Sequence, residues 1–434
     1  MLKYILKRLG LSVIVLLGVS VIIYFLVRLM PTDYLETKFS AQIQQGTITH
    51  DQLDDFKKRY GLYMPDAYLT IEYDDVTYVK DVKQQKYEDV QDGTLSYLEF
   101  YAGTYEGSAN ALSLEIKDDG SYRVLEKSGE ETKVKETGRV SASETGIVLQ
   151  SGTDPMPITV DYKVATVWDK AGAVFSGYFA WLGNMLRGDL GDSFLYQQPV
   201  GTVIADHMWI SFLISLVALI FQFAISIPLG ITSATHQYSV VDYSVTVITM
   251  IGISLPSFFF AALLIKVFSS WLGWFPAFGL VTGGASSTGI AYMLDVLHHL
   301  VLPMIVLVVL SIGGLMRYTR TNMLEVLNSD YIRTARSKGL SEKKVIYVHA
   351  FRNTMIPLMT LLAGILPSLF GGAMITEEVF AIDGIGRLAY KALQQGDVPF
   401  IMGYNMFLAV LTVIGTLFSD LMYAVVDPRV KLSK

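Results

Sequence analysis

From Leu9 to Met30 the chain reads LGLSVIVLLGVSVIIYFLVRLM, an apolar run interrupted only by two serines, two glycines and Arg28. A helix rises about 1.5 Å per residue, so roughly 20 apolar residues cross the hydrocarbon core of a bilayer. Five further runs of that kind follow at about 208–234, 243–270, 298–320, 352–375 and 401–425. The pattern predicts six transmembrane helices. Lys3, Lys7 and Arg8 precede the first run, as in a signal peptide. The run is too long for an h-region and lacks a small-residue cleavage site, so it is expected to remain as the first helix.

Between residues 32 and 177 the period changes from helical to alternating. Leu69, Ile71 and Tyr73 alternate with polar neighbours, as do Leu112, Leu114 and Ile116, the mark of half-buried strands. Asp119-Gly120 between LSLEIKD and SYRVLE predicts a hairpin with a type I′ turn. Ser128-Gly129, Gly138 and Gly146 punctuate more short strands. A small antiparallel barrel or sandwich is expected over about 66–165. The fold class that follows is an all-α membrane protein with a β-rich insertion between helices 1 and 2. Residues 1–31 form the tail and first helix, 32–177 the inserted segment, and 178–434 the remaining membrane domain with a polar loop at 321–351.

Composition agrees, with 52% hydrophobic and only 17% charged residues in 434. Without cysteine, neither a disulfide, a thiolate metal site nor a Cys nucleophile is available. The net charge of -6 averages two unlike regions: residues 32–177 hold 15 Lys and Arg against 26 Asp and Glu, the rest 19 against 14. Short-loop Lys and Arg set orientation. Three lie before the first span, eight between Arg317 and Arg352, and three after Asp427, whereas the loop 272–297 has none. Both termini and the 321–351 loop are therefore expected in the cytoplasm, and the acidic insertion outside. Long domains translocate largely regardless of charge.

Within that basic loop lies YIRTARSKGLSEKKVIYVHAFRN (331–353). Asp330 is expected to cap a short helix over Tyr331 to Lys338, Gly339 to end it in the left-handed conformation, and Ser341 to cap a second helix with Glu342 in its first turn. At spacing i, i+3, i+4, i+7 one face presents Tyr331, Thr334, Ala335 and Lys338. Either this is a docking helix or a solvated helix obeying the positive-inside rule. No GxxxxGK[ST] phosphate loop occurs, so a docking helix implies an ATPase on another chain.

YIRTARSKGLS, Ile356-Pro357, the N-terminal MLKYILKRLGLSVIVLLGVSVIIYFLVRLMPTD, WLGNMLRGDLGDS (181–193), GISLPSF (252–258) and DPRVKL (427–432) together resemble the oligopeptide/dipeptide permease family of binding-protein-dependent ABC importers. The resemblance covers about 1–65 and 178–434. It implies the six-helix ABC importer permease fold in a bacterial plasma membrane, and a non-enzymatic subunit that takes up peptides. It further implies that residues 331–341 correspond to the EAA loop that docks in a cytoplasmic ATPase. Arg333, Thr334 and Ala335 fall on the Glu-Ala-Ala positions, with Arg333 departing from the acidic residue, and Gly339 falls on the motif's glycine. The implied coupling residues are Tyr331, Arg333, Thr334, Ala335, Lys338, Gly339 and Leu340. The short N-terminal tail resembles the first of two permeases. Implied partners are a second homologous permease, two ABC ATPases, an extracytoplasmic substrate-binding lipoprotein, the peptide and membrane lipid, with no nucleic acid and no cofactor. Relatives in this family also carry nickel and other small solutes.

Other features are open to plainer readings. Lys266 in the third span is expected to snorkel; Asp420 in the sixth is a candidate for the translocation path. His298 and His299 share a helical face only with Asp295, too few ligands for a metal, and HExxH is absent. Pro228, Pro256, Pro303, Pro357 and Pro367 kink helices along a pathway or bend them for packing. EEVFAIDGIGRLAYKALQQGDVPF (377–400) predicts an external DGIG turn and an amphipathic helix with Leu388 and Leu393, resembling the family's short external helix, with Asp383 where proline is common. The insertion either docks the binding protein or is a spacer. An ion-coupled carrier would need more intramembrane carboxylates or an internal repeat, and a tethered receptor would leave 331–353 without a purpose.

Overall fold

The computed structural model describes residues 2–28, 39, 53–54, 57–58, 60–108, 111–128, 131–144, 146–151, 154–284 and 288–426. The DPRVKL motif, Gly129 and the side chains of Lys3, Lys7, Ile356, Pro367 and Asp420 lie outside the described residues. Two compact units divide the chain, one of residues 1–40 and 184–434, the other of 41–183.

In the second unit, eight strands form a closed antiparallel barrel in sequence order: β1 (Ala67–Tyr73), β2 (Val76–Val82), β3 (Gly103–Gly107), β4 (Leu112–Ile116), β5 (Ser121–Ser128), β6 (Glu131–Ser143), β7 (Gly146–Ser151) and β8 (Asp154–Val164). Closure comes from β1 pairing β8, Ala67 opposite Val164 through Ile71 opposite Val160. No edge strand is left to recruit another chain. Leu69, Ile71, Leu114 and Ile116 point inward and are at most 1% exposed, each such burial contributing about 1.5–3 kcal/mol. Two short helices after β2, α2 (Gln84–Gln91) and α3 (Tyr97–Tyr101), add Val90, Phe100 and Tyr101 to the same core. A capping box between Ser96 and Glu99 starts α3, and the Lys80 ammonium donates to the Ala102 carbonyl just past its end.

The turn chemistry differs from the expected one. Asp74 and Asp75, with φ of 51° and 58°, form the two-residue turn that joins Tyr73 to Val76, with the positive φ at both positions that type I′ requires. At 117–120 the loop is longer: Gly120 alone of the Asp119-Gly120 pair has a positive φ, +79°, and its N–H reaches the Lys117 carbonyl at 3.0 Å. The two additional residues let a single left-handed glycine close the hairpin, so the type I′ turn expected there is not formed. At Gly138, opposite Tyr122, a Cβ would lie 2.5 Å from the tyrosine ring, which only glycine avoids.

The first unit is helical: α1 (Leu2–Arg28), the last turn of α4 (Val167–Leu186), α5 (Val200–Thr235), α6 (Val240–Ser254), α7 (Ser257–Leu264), α8 (Gly289–Leu327), α9 (Asp330–Ser337), α10 (Glu342–Lys344), α11 (Phe351–Gly371), α12 (Met374–Val379), α13 (Ile385–Gln395) and α14 (Val398–Val426). Among the described residues, α1, α5, α8 and α14 are long and apolar enough to cross a membrane, and a bent pair could make a fifth span. That pair covers the span expected over 243–270, with the kink or bend expected at Pro256. Helix α6 stops at Ser254, Pro256 starts the next segment, and α7 continues as a π-helical turn over Ile265–Trp271 at 100° to α6. Proline cannot extend the preceding helix's hydrogen-bond ladder. Pro228 and Pro303, by contrast, sit inside helices that continue past them.

Small residues bring the long helices together. A Cβ on Gly230 would lie 2.7 Å from Thr319 Cβ, and one on Gly313 2.7 Å from the Thr249 carbonyl. In a lipid environment, where apolar burial drives little association, such close approach supplies the packing. Ser226 and Gln222 of α5 add donors to the Ile312 and Ser311 carbonyls of α8, each at 3.2 Å.

Candidate coupling surface

Helix α9 hangs below the end of α8 on two apolar residues. Ile332 and Ala335, three apart and hence on one face, are 0% and 7% exposed and join Ile231, Ala234, Met323, Val345 and Ala350 in one cluster, with Leu340 half-buried at its border. The expected face of Tyr331, Thr334, Ala335 and Lys338 is therefore divided. Ala335 turns inward as the partner of Ile332, while Tyr331, Arg333, Thr334, Ser337 and Lys338 are exposed. Tyr331 is held by Asn353, whose amide donates to the phenol oxygen at 2.9 Å.

The caps also differ from expectation. Ser329, not Asp330, is the N-cap residue, and its hydroxyl donates back to the Val326 carbonyl at 2.6 Å instead of capping α9. Asp330 occupies the first helical turn, 3.7 Å from Arg333. Gly339 has φ +75°, and its N–H closes on the Arg336 carbonyl at 2.9 Å. Ser341 stands at the N-cap of α10, its carbonyl accepting from Lys344 and Val345, but its side chain makes no cap bond.

Across the Gly339 turn, Arg336 donates to both oxygens of Glu342 at 2.7 and 3.3 Å. The guanidinium's hydrogen bond holds Glu342 below the usual carboxylate range and raises Arg336 in turn. Both groups are about half exposed, so the pair contributes no more than about 1 kcal/mol, and its effect is to set the angle of the turn. The exposed cations of the outer face are then Arg333 and Lys338 on α9, with Lys343, Lys344 and Arg352 beyond.

Above this surface lies an ion pair that a motif reading passes over. Asp242, 3% exposed, begins α6 and accepts from Arg320 of α8, from the Tyr238 N–H at 3.0 Å and from the Ser233 hydroxyl of α5. Three helices meet on one carboxylate. The available signal was an acid at the start of an apolar run and the cations Arg317 and Arg320 near the end of α8.

At the other end of the helices, Glu377 is 1% exposed and accepts from Ser211 at 2.7 Å, Ala373 N–H at 3.0 Å and Arg387 N–H at 3.0 Å. Gly384 and Gly386 of the DGIG turn exist to admit it: Cβ atoms there would lie 2.5 and 2.9 Å from its Oε2. Asp383 pairs with Arg387 at 2.7 Å. The buried face of α13 is Ile385, Leu388, Ala389 and Ala392; Leu393, expected beside Leu388, is 55% exposed because it falls about 140° around the helix from Leu388, past the edge of that face. Asp397, fully buried, accepts from the Ser193 hydroxyl and the Leu195 N–H, tying the GDS segment to the start of α14.

The remaining candidates have local partners. Lys266 lies 5.8 Å over the Trp271 ring. His298 bonds the Trp274 carbonyl at 2.8 Å and His299 the Asp295 carbonyl at 2.9 Å, and among the described residues no three His, Cys, Asp or Glu gather as a metal site.

Residues 226–432 match the family model described as binding-protein-dependent transport system inner membrane component. The chain is 40% identical over 288 residues to the oligopeptide transport system permease protein AppB of Bacillus subtilis, covering 64% of this chain and 90% of that protein. It is 36% identical over 269 residues to the dipeptide transport system permease protein DppB of Alkalihalophilus pseudofirmus, covering 58% and 80%. An inward-facing structure of the MetNI methionine ABC transporter shares 16% identity and a TM-score of 0.42, over 52% of this chain and 96% of that one. With nine-tenths of a 40%-identical relative covered, the chain is a multi-pass membrane protein that belongs to the binding-protein-dependent transport system inner membrane component family.

Proposed function

We propose that this chain is the transmembrane permease subunit of a bacterial ABC importer for oligopeptides or dipeptides, the first of two homologous permeases. The single observation that carries the reading is the 40% identity to a protein named as an oligopeptide permease, across 90% of that protein's length. The geometry of α9 supports it from another side. A short helix fastened by Ile332 and Ala335 while Tyr331, Arg333, Thr334 and Lys338 stand exposed is suited to take a push from a second protein and pass it to the cluster of α5, α8 and α11.

In this reading α11 is the sixth span, the bent pair α6–α7 counts as one, and both termini with α9 face the cytoplasm. The barrel is extracytoplasmic. Two ATPases engage α9, Gly339 and the border residue Leu340; a substrate-binding lipoprotein delivers the peptide on the other side; and the chain itself catalyses nothing. Closure of the ATPases moves α9 as a rigid unit, since the Arg336–Glu342 pair and the Gly339 turn hold it to α10.

The test is reconstitution of the chain with its second permease, ATPases and binding lipoprotein in proteoliposomes. Labelled di- to oligopeptides are expected to accumulate only with ATP. ATP-driven nickel accumulation without peptide uptake would replace the substrate reading, and uptake driven by an ion gradient without ATPases would replace the mechanism.

A further inference from the structure

Helix α4 carries an exposed apolar stripe. Trp168, Phe175, Phe179 and Leu186 are 85%, 59%, 65% and 78% exposed. At 100° per residue they fall within about 20° of one line down the helix. The opposite side is occupied: Tyr178 and Trp181 are each 7% exposed, and Gly61 packs so closely on Gly177 that a Cβ would lie 2.3 Å from its carbonyl oxygen. The start of the helix is fixed by a reciprocal cap between Thr166 and Asp169, with bonds of 2.8 Å from the Thr166 N–H and 3.3 Å from the Asp169 N–H. Trp168 is therefore presented from an ordered first turn.

Two observations select what covers the stripe. No charged residue occurs between Lys170 and Arg187, so the middle of the stripe, at Phe175 and Phe179, lacks the charged rim that a water-exposed protein-binding helix carries. The last turn of the helix also lies a short length of chain from a membrane-crossing segment. Five residues beyond Leu186, the Gly191 carbonyl accepts from the N–H of Val200 at 2.9 Å, and Val200 begins the membrane-crossing helix α5. At no more than about 3.6 Å per residue, Leu186 lies within roughly 18 Å of that point. A helix leaving that point along the membrane surface would set its Trp and Phe against lipid headgroups and the first carbons of the acyl chains.

We infer that α4 is an interfacial helix that lays Trp168, Phe175, Phe179 and Leu186 into the surface of the membrane, anchoring the chain there before it crosses as α5. Because the polar side of α4 carries a single cation, Lys170, in place of the Lys- and Arg-rich face of surface-seeking amphipathic helices, the anchoring rests on apolar burial and depends little on the lipid's charge.

The chain has no cysteine, so single cysteines at Phe175, Phe179 and Ala180 can each carry an environment-sensitive fluorophore in the full-length protein. Ala180 is exposed but about 120° away from the stripe. In vesicles of phosphatidylethanolamine with phosphatidylglycerol, and again in phosphatidylcholine alone, labels at Phe175 and Phe179 should be quenched several-fold more by nitroxide lipids than the label at Ala180. Aqueous iodide should show the reverse order. Iodide quenching at Phe175 and Phe179 equal to that at Ala180 would place the stripe in water and overturn the inference. Shielding from both quenchers would mean that a protein covers the stripe and would overturn it equally. Loss of lipid quenching in phosphatidylcholine would refute the charge-independent anchor.

Discussion

Arg320 closes on Asp242 with two parallel hydrogen bonds, Nε to Oδ1 at 2.9 Å and Nη2 to Oδ2 at 2.8 Å, across 78 residues of sequence. This fork is charge-assisted, and it joins α6 to α8 two turns before the end of α8, where α9 follows. Arg320→Ala leaves a carboxylate buried without its cation, and the expected loss is about 3–5 kcal/mol. Lysine, with one charged nitrogen, should recover only part of it. Thermal unfolding in detergent measures both. A melting temperature unchanged by Arg320→Ala would mean that the pair is not a structural tie.

Gly339 has open space around it, for no atom lies within 4 Å of where a Cβ would stand. Its requirement is purely conformational, from φ +75°. Gly339→Val should penalise the turn by roughly 1–2 kcal/mol and misdirect α9, while leaving the spans intact. ATP-coupled uptake should fall at unchanged membrane abundance. Wild-type uptake and ATP hydrolysis in this variant would remove α9 from the coupling route.

The long spans were legible because nothing but lipid crossing requires twenty apolar residues in a row, and the strands because Leu69 and Ile71 repeat at the period of a pleat. Turn type was less so. Asp74-Asp75 lacks the glycine that usually announces two positive φ angles, whereas Asp119-Gly120 has it but belongs to a longer loop. The inward turn of Ala335 depends on Ile332, a residue whose weight appears only when the cluster beneath it exists. Asp242 reads locally as a first-turn acid after Ser239, and its partner is too distant in sequence for spacing to reveal. What periodicity encodes was readable; what long-range pairing encodes was not.

Orientation is directly testable in a chain without cysteine. Ser337→Cys on α9 should resist an impermeant thiol reagent in intact cells and react after permeabilisation, while Lys127→Cys on β5 should react in both. Both positions are exposed, so access to the compartment decides the outcome. Labelling of Ser337→Cys in intact cells would place α9 outside and separate it from any cytoplasmic ATPase.

Within the barrel, a polar tie crosses the interior. Tyr73 of β1 donates to both oxygens of Glu136 at 2.9 Å, and Tyr122 of β5 to Oε1 at 2.8 Å. Glu136 faces inward because Lys135 is the extra residue of a bulge, where Val124 opposes Glu136 and Leu125 opposes Val134. Burial works against the Glu136 charge, but the Tyr122 and Tyr73 hydroxyls outweigh it and bring the carboxyl below its usual range. Burial first, and then the bond to Glu136, push Tyr73 and Tyr122 above the usual phenol range. The signs follow by linkage. A lowered acid stabilises the fold above its unfolded pKa, near 4.5, and that contribution is lost as pH falls through the folded value. A raised phenol contributes fully below its unfolded pKa, near 10, and the contribution is lost as pH rises past it. Protease resistance of the barrel in the full-length protein should therefore be greatest between these limits and decline on both sides. Glu136→Gln should cost about 1–3 kcal/mol at neutral pH and flatten the acid decline, and Tyr73→Phe should weaken the alkaline one. An acid decline as steep in Glu136→Gln as in the parent would assign it to other carboxylates.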